Sequence, residues 1–169
     1  MKNLRLVLAF ATALVLCFQG YSQTTPGPSN PDKMQWFADA RLGIFIHWGI
    51  YSVNGTSESW AFHNKTMTHK NYMAQINGFT AKNYDPKQWV DLIKKTGARY
   101  AVITSKHHDG VSLYNTQMND LSIPLQSPAK RDVLTPFTDE LRRQGIKLGL
   151  YYSLIDWSYP EYPGFLKDS

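Results

Sequence analysis

Three short apolar runs punctuate an otherwise mixed chain. GIFIHW at 43–48, YAVITS at 100–105 and KLGLYYS at 147–153 are each rich in strand formers. None alternates cleanly between apolar and polar positions. Continuous runs of this length suit strands covered on both faces, as in a parallel sheet.

Helical spacing fills the intervals. Asp85 can cap a helix, with Pro86 at its first position and Gln88 three residues after the cap. Trp89, Leu92 and Ile93 then recur at helical spacing, and Gly97 supplies a left-handed stop. Asp132 opens a second helix carrying Val133, Phe137 and Leu141, and Gly145 ends it. Pro136 falls in the first turn, where the backbone N–H has no intrahelical partner.

The order is strand, long loop, helix, strand, loop, helix, strand. Repeated β/α units of this kind predict an α/β fold with a parallel sheet. Right-handed crossovers would put both helices on one side. The expectation is the first three β/α units of a (β/α)8 TIM-like barrel. A doubly wound sheet competes, but HWGIYSVNG stands after the first strand where a Gly-rich phosphate turn would be required. A full barrel takes about 250 residues. The chain is therefore expected to hold an incomplete barrel, an open sheet with an exposed edge.

Composition adds a core and a leader. Of 169 residues 43% are hydrophobic and 18% charged, which describes a globular protein with an interior. Aromatics reach 14%, enough to line a ring-binding cleft as well as to fill a core. Lys2 and Arg5 precede LVLAFATALVLCF, and QGYSQ follows. This reads as a signal peptide over residues 1–22, cleaved near Ser22. The run is short of the roughly 20 residues that span a bilayer, so no membrane anchor is expected after cleavage, and the product would be secreted or periplasmic. Cys17 lies before the cut, so the mature chain carries no disulfide. Residues 23–33 read as a Pro/Gly/Ser linker, and 34–169 as the barrel segment.

The formal charge of +5 falls to about +3 once Lys2 and Arg5 are removed. No basic run or RNA-binding aromatic pattern is present, so nucleic acid is not an expected partner.

The chemistry gathers where the strands end. TSKHHDG (104–110) places His107 and His108 at the end of the second strand; His47-Trp48 closes the first; the third ends in Tyr151, Tyr152 and Ser153, followed by Asp156 and Trp157. In parallel barrels this end carries the active site. Metal ligation is the weaker reading. Adjacent histidines on a strand point to opposite faces, so His107 and His108 could share a ligand only where the strand has broken into loop. No i, i+4 histidine pair accompanies them, and no metal is expected.

The long segments WFADARLGIFIHWGIYSVNG, ESWAFHN, FTAKNYDPKQWVDLIKKTGARYAVITSKHHDGVSLYNT and RDVLTPFTDELRRQGIKLGLYYSLIDW resemble the N-terminal part of the retaining α-L-fucosidases, glycoside hydrolase family 29. The likeness runs from about Met34 to Trp157. It implies a barrel that removes terminal α-L-fucose from fucosylated glycans with retention and without a cofactor. It also implies two carboxyl groups about 5–5.5 Å apart, one a nucleophile and one an acid/base. The family's nucleophile is an aspartate on a later strand, which would fall beyond Ser169.

Several pocket positions carry over by this resemblance. His47, His107 and His108 match histidines that hydrogen-bond sugar hydroxyls, and neutral imidazole both donates and accepts. Tyr152 matches a tyrosine near the nucleophile, with Tyr151 as the alternative. Trp60 would lie against the apolar face of fucose. Many members have Glu-Trp adjacent after the first strand; here Ser59 separates Glu58 from Trp60. Glu58 is a candidate polar contact and a weaker candidate proton donor. A sugar-binding relative without catalysis and a metal-dependent barrel hydrolase are the other classes.

Plainer roles are expected elsewhere. His63 and His69 read as loop surface. Trp36, Trp48 and Trp89 read as packing. Lys106 and Asp109 are a candidate pair holding the histidine turn.

Overall fold

The computed structural model describes residues 31–160. The expected signal segment 1–22, Cys17 and residues 23–30 of the expected linker lie outside the described residues. The chain divides into two units, one ending at Ala38 and one starting at Asp39. Pro31–Met34, in the first, forms a 3-10 turn, and the helix Gln35–Ala40 that follows begins in the first unit and ends in the second. The last residues of the expected linker are thus helical. Trp36, expected to pack, is 40% exposed and meets Phe37 edge-on.

The second unit contains a parallel sheet of three strands: β1 (Gly43–Ile46), β2 (Tyr100–Lys106) and β3 (Lys147–Tyr152), in that spatial order. Helix α1 (Pro86–Lys95) connects the first two strands and α2 (Leu134–Arg143) the last two. The two helices pack on one another, so both crossovers lie on one side of the sheet, as right-handed connections require. The expected α/β order is present. Among the described residues β1 and β3 each pair on one edge only.

The helices start and stop for local reasons. The Asp85 carboxylate accepts the Gln88 N–H at 3.1 Å, with Pro86 inside the first turn. Asp132 accepts the N–H groups of Leu134 and Thr135, both at 2.8 Å, so it opens α2 although the helix proper begins two residues later. Gly97 and Gly145 follow the two helices at φ 81° and 74°.

The interior lies between the sheet and these helices. Ala101 and Ile103 of β2, Val90 of α1, and Phe137 and Leu141 of α2 are fully buried or nearly so. Each large apolar side chain removed from water contributes about 1.5–3 kcal/mol. Trp48, Phe79, Tyr84 and Trp89 form an aromatic group with ring centroids about 5 Å apart. Trp48 and Trp89 are packing residues, as expected.

The other face of the sheet carries Phe45 and Tyr151, whose rings meet edge-on at 5.9 Å. Phe45 is 54% exposed. No described helix is long and apolar enough to cross a membrane.

Candidate active site

The strands break at the positions where the polar residues begin. β1 ends at Ile46, so His47 and Trp48 are already outside it. The Trp48 N–H donates to Thr104 Oγ1 at 2.8 Å, and the Thr104 hydroxyl donates to the Trp48 carbonyl at 2.5 Å. These bonds hold the end of β1 beside β2. In β2 the pairing with β3 is regular to Thr104↔Tyr151, slips, and resumes as Lys106↔Tyr152. Ser105, at the slip, donates its hydroxyl to the Tyr151 carbonyl at 2.9 Å. After Lys106 the chain turns, with the Gly110 N–H donating to the His107 carbonyl at 3.1 Å.

That turn frees His107 and His108 from strand parity. Their ring centroids are 4.5 Å apart, and His47 lies 4.9 Å from His107. The three imidazoles form a row: His47, His107, His108. Tyr151 stacks on His107 at 5.5 Å and meets His47 at 6.0 Å.

Three consecutive residues address the row. His47 Nδ1 lies 3.0 Å from Glu58 Oε1. Ser59 Oγ lies 2.6 Å from His107 Nδ1 and is fully buried. Trp60 meets His108 edge-on at 6.0 Å and is 41% exposed. They stand at the start of the one-turn helix Trp60–His63, whose first turn points successive side chains in different directions. Beyond β3, Ser153 Oγ hydrogen-bonds His108 Nδ1, and Trp157 packs against the same ring at 4.5 Å.

Burial sets the charge of the adjacent pair His107 and His108. It pushes the His107 imidazole down to about 3, with His108, His47 and Lys106 adding repulsion, so the ring is neutral near pH 7. Burial also lowers His108, against an opposing hydrogen bond that the ring donates to the Ile155 carbonyl.

The acid after the pair has a structural role. Asp109 is buried, accepts the Tyr72 hydroxyl at 2.7 Å and accepts the Val111 N–H at 2.9 Å. Burial raises its carboxyl to about 6 despite those bonds. The expected Lys106–Asp109 pair does not form. Lys106 instead reaches Asp156 at 3.3 Å and sits 5.1 Å above the Tyr152 ring.

Tyr152 requires a correction of place. It points away from the imidazole row because it shares strand phase with Leu148, which packs on the helical core. It lines a separate cleft of about 350 Å³ with Leu150 and the α2 residues Leu134, Thr138 and Arg142. Tyr151, one residue earlier, faces the row. His47, Glu58, His107 and His108 come together, with Trp60 at the rim. His63 is exposed but stacks on Trp157 at 4.4 Å. His69 is half-buried, with Nε2 2.8 Å from Ser158 Oγ, so neither histidine is bare loop surface. Ser59, noted in the sequence as a spacer, and Ser153, noted as a strand-end residue, were given no role there. Among the described residues no group of three or more His, Cys, Asp or Glu side chains is placed to hold a metal ion.

Comparison with known proteins agrees with this arrangement. The α-L-fucosidase family model matches residues 9–168. The human plasma α-L-fucosidase is 35% identical over 141 residues, which cover 74% of this chain and 30% of that protein. α-L-Fucosidase isoenzyme 1 from Paenibacillus thiaminolyticus superposes with a TM-score of 0.72 at 40% identity, over 78% of this chain and 31% of that one. α-L-Fucosidase AlfC from Lactobacillus casei, in complex with α-L-fucose product, gives 0.69 at 32% identity, over 76% and 42%. The chain thus spans less than half the length of each of these relatives. A parallel sheet with polar strand ends, a row of three imidazoles and a family match over nearly the whole sequence lead to one assignment: this chain belongs to the α-L-fucosidase family.

Proposed function

We propose that this chain is the N-terminal part of the catalytic barrel of an exported, retaining α-L-fucosidase, and that the row His47, His107, His108 binds the hydroxyls of a terminal α-L-fucose. The observation that carries this reading is the convergence of three imidazoles with Tyr151 on one side of the strand ends. A neutral imidazole supplies both a donor and an acceptor, which suits vicinal hydroxyls. Trp60 and Trp157, 5.1 Å apart, offer an apolar wall for the sugar's hydrophobic face.

Glu58 is engaged with His47 and so acts as a positioning group rather than as the proton donor. In this reading the nucleophilic aspartate is supplied by a part of the relatives' length that this chain does not span. Residues 1–22 direct export and are cleaved near Ser22, giving a secreted or periplasmic enzyme whose substrates are fucosylated glycans. The greater length of the relatives supports a longer catalytic domain.

The test is turnover of an aryl α-L-fucoside by the full-length gene product, with the product anomer followed by NMR. Release of α-L-fucose first is the expected result. A full-length protein that binds fucose without turnover, or that releases the β-anomer first, would overturn the catalytic part. His47→Ala or His108→Ala should raise KM for the fucoside at least about tenfold; unchanged kinetics would remove the binding role.

A further inference from the structure

We infer that Ser59 and Ser153 fix opposite tautomers on the paired histidines, so that the row His47, His107, His108 presents acceptor, donor and acceptor nitrogens to its ligand. This rests on the proposed sugar-binding role for its consequence, but the tautomers follow from hydrogen-bond counting.

A serine hydroxyl has one proton to give. Ser153 gives its proton to the Ile155 carbonyl at 2.8 Å. Its oxygen can then only accept from His108, so His108 Nδ1 carries the hydrogen. The Ile155 carbonyl faces the same imidazole and favours its N–H. In the neutral ring Nε2 is bare and accepts.

Ser59 is in the reverse position. Its side chain is fully buried, and its oxygen has His107 Nδ1 as its hydrogen-bond partner among the described residues. If Nδ1 carried the hydrogen, the Ser59 proton would have no acceptor in a dry site, a cost of about 1–3 kcal/mol. The hydroxyl therefore donates to Nδ1. The neutral His107 ring then carries its hydrogen on Nε2 and donates.

His47 completes the pattern. The Glu58 carboxylate can only accept, so Nδ1 carries the hydrogen at 3.0 Å. In the neutral ring Nε2 accepts. A ligand spanning the row must offer a proton, an acceptor lone pair and a proton in turn. A polyol can rotate its hydroxyls to do so. Ser59, the residue interposed between Glu58 and Trp60, is a positioning residue here: it sets which way His107 points its hydrogen.

The test is long-range ¹H–¹⁵N NMR on the full-length protein labelled with [¹⁵N]histidine, near pH 7 and without ligand. The expected spectrum has one ring protonated at Nε2 that moves in Ser59→Ala, and one protonated at Nδ1 that moves in Ser153→Ala. Ser59→Thr, which keeps the hydroxyl, should retain the wild-type His107 pattern. In parallel, Ser59→Ala should raise KM for an aryl α-L-fucoside about tenfold, with a smaller change in kcat, and Ser59→Thr should recover most of it. Finding both rings protonated at the same nitrogen in the wild type overturns the inference, and this reading needs no variant to fold. The assigned tautomers without any fucose binding would instead overturn the sugar-binding reading and leave the tautomers standing.

Discussion

Glu58 Oε1 sits 3.0 Å from His47 Nδ1, across the loop that separates β1 from the helical turn Trp60–His63. A carboxylate at this nitrogen orients the ring and fixes its hydrogen. Glu58→Ala in the full-length enzyme should lower kcat/KM about 10- to 150-fold, the range for losing a hydrogen bond to a charged group. Glu58→Gln keeps an acceptor and should lose less. Steady-state kinetics on an aryl α-L-fucoside measures both, and equal losses would contradict the orienting role.

The two tyrosines of β3 separate by face. Tyr151 stacks on His107 while Tyr152 lines the cleft beside α2. Tyr151→Ala should raise KM for the fucoside at least about tenfold. Tyr152→Ala should leave KM within about threefold and act mainly through stability. The reverse order would mean that the strand phase is wrong.

Removing the Tyr72 hydroxyl tests the buried acid. It donates to Asp109 at 2.7 Å in a site with little water. Tyr72→Phe should cost about 1.5–3 kcal/mol of stability near pH 7 and push the Asp109 carboxyl above its present value of about 6. Urea denaturation at pH 5 and pH 7 checks both, because the penalty should be smaller where Asp109 is protonated.

His107 and Asp109 pull acid stability in opposite directions. His107 is lowered from its ordinary 6.5 to about 3, so between those values the unfolded chain binds the extra proton and stability falls as pH falls. Asp109 is raised from 3.8 to about 6, so the folded chain binds the extra proton and stability falls as pH rises through that window. Between about pH 4 and 6 the two slopes offset. His107→Asn should expose the Asp109 slope, so that stability declines steadily from pH 4 to pH 6. Urea midpoints across that range should show it, and a profile parallel to the wild type would reject the assignment.

Gly110 closes the histidine turn at φ 79°, and a Cβ there would lie 2.7 Å from Asp156 Oδ1. Gly110→Ala combines an unfavourable backbone with displacement of the Lys106 partner. A loss of about 1–3 kcal/mol is expected, read as a drop in thermal midpoint. An unchanged midpoint would mean the turn relaxes freely.

Much of this architecture could be read from local signals. The apolar runs located all three strands, and Asp85-Pro86, Gly97, Asp132 and Gly145 bounded both long helices. Those cues act within a few residues. The site was legible in part, because polar residues at strand ends gather wherever parallel strands finish together. Tyr152 was misplaced because face depends on the phase of β3, which only the packing of Leu148 reveals. Lys106 was paired with the near acid Asp109, whereas its partner Asp156 lies 50 residues away. Ser59 and Ser153 showed only their positions and not their roles, since a serine's value here comes from what its one proton can reach.

The slip in pairing at Ser105 makes segment length as important as composition. Deleting one residue between Thr104 and His107 would carry regular pairing further and rotate the following side chains to the wrong side. His108 would then take the place of His107 beside Ser59, and Asp109 would be drawn from its burial toward the imidazole row. A protein engineer could exchange residues in this stretch one at a time, but could not shorten or lengthen it without dismantling the order in which the rings are presented.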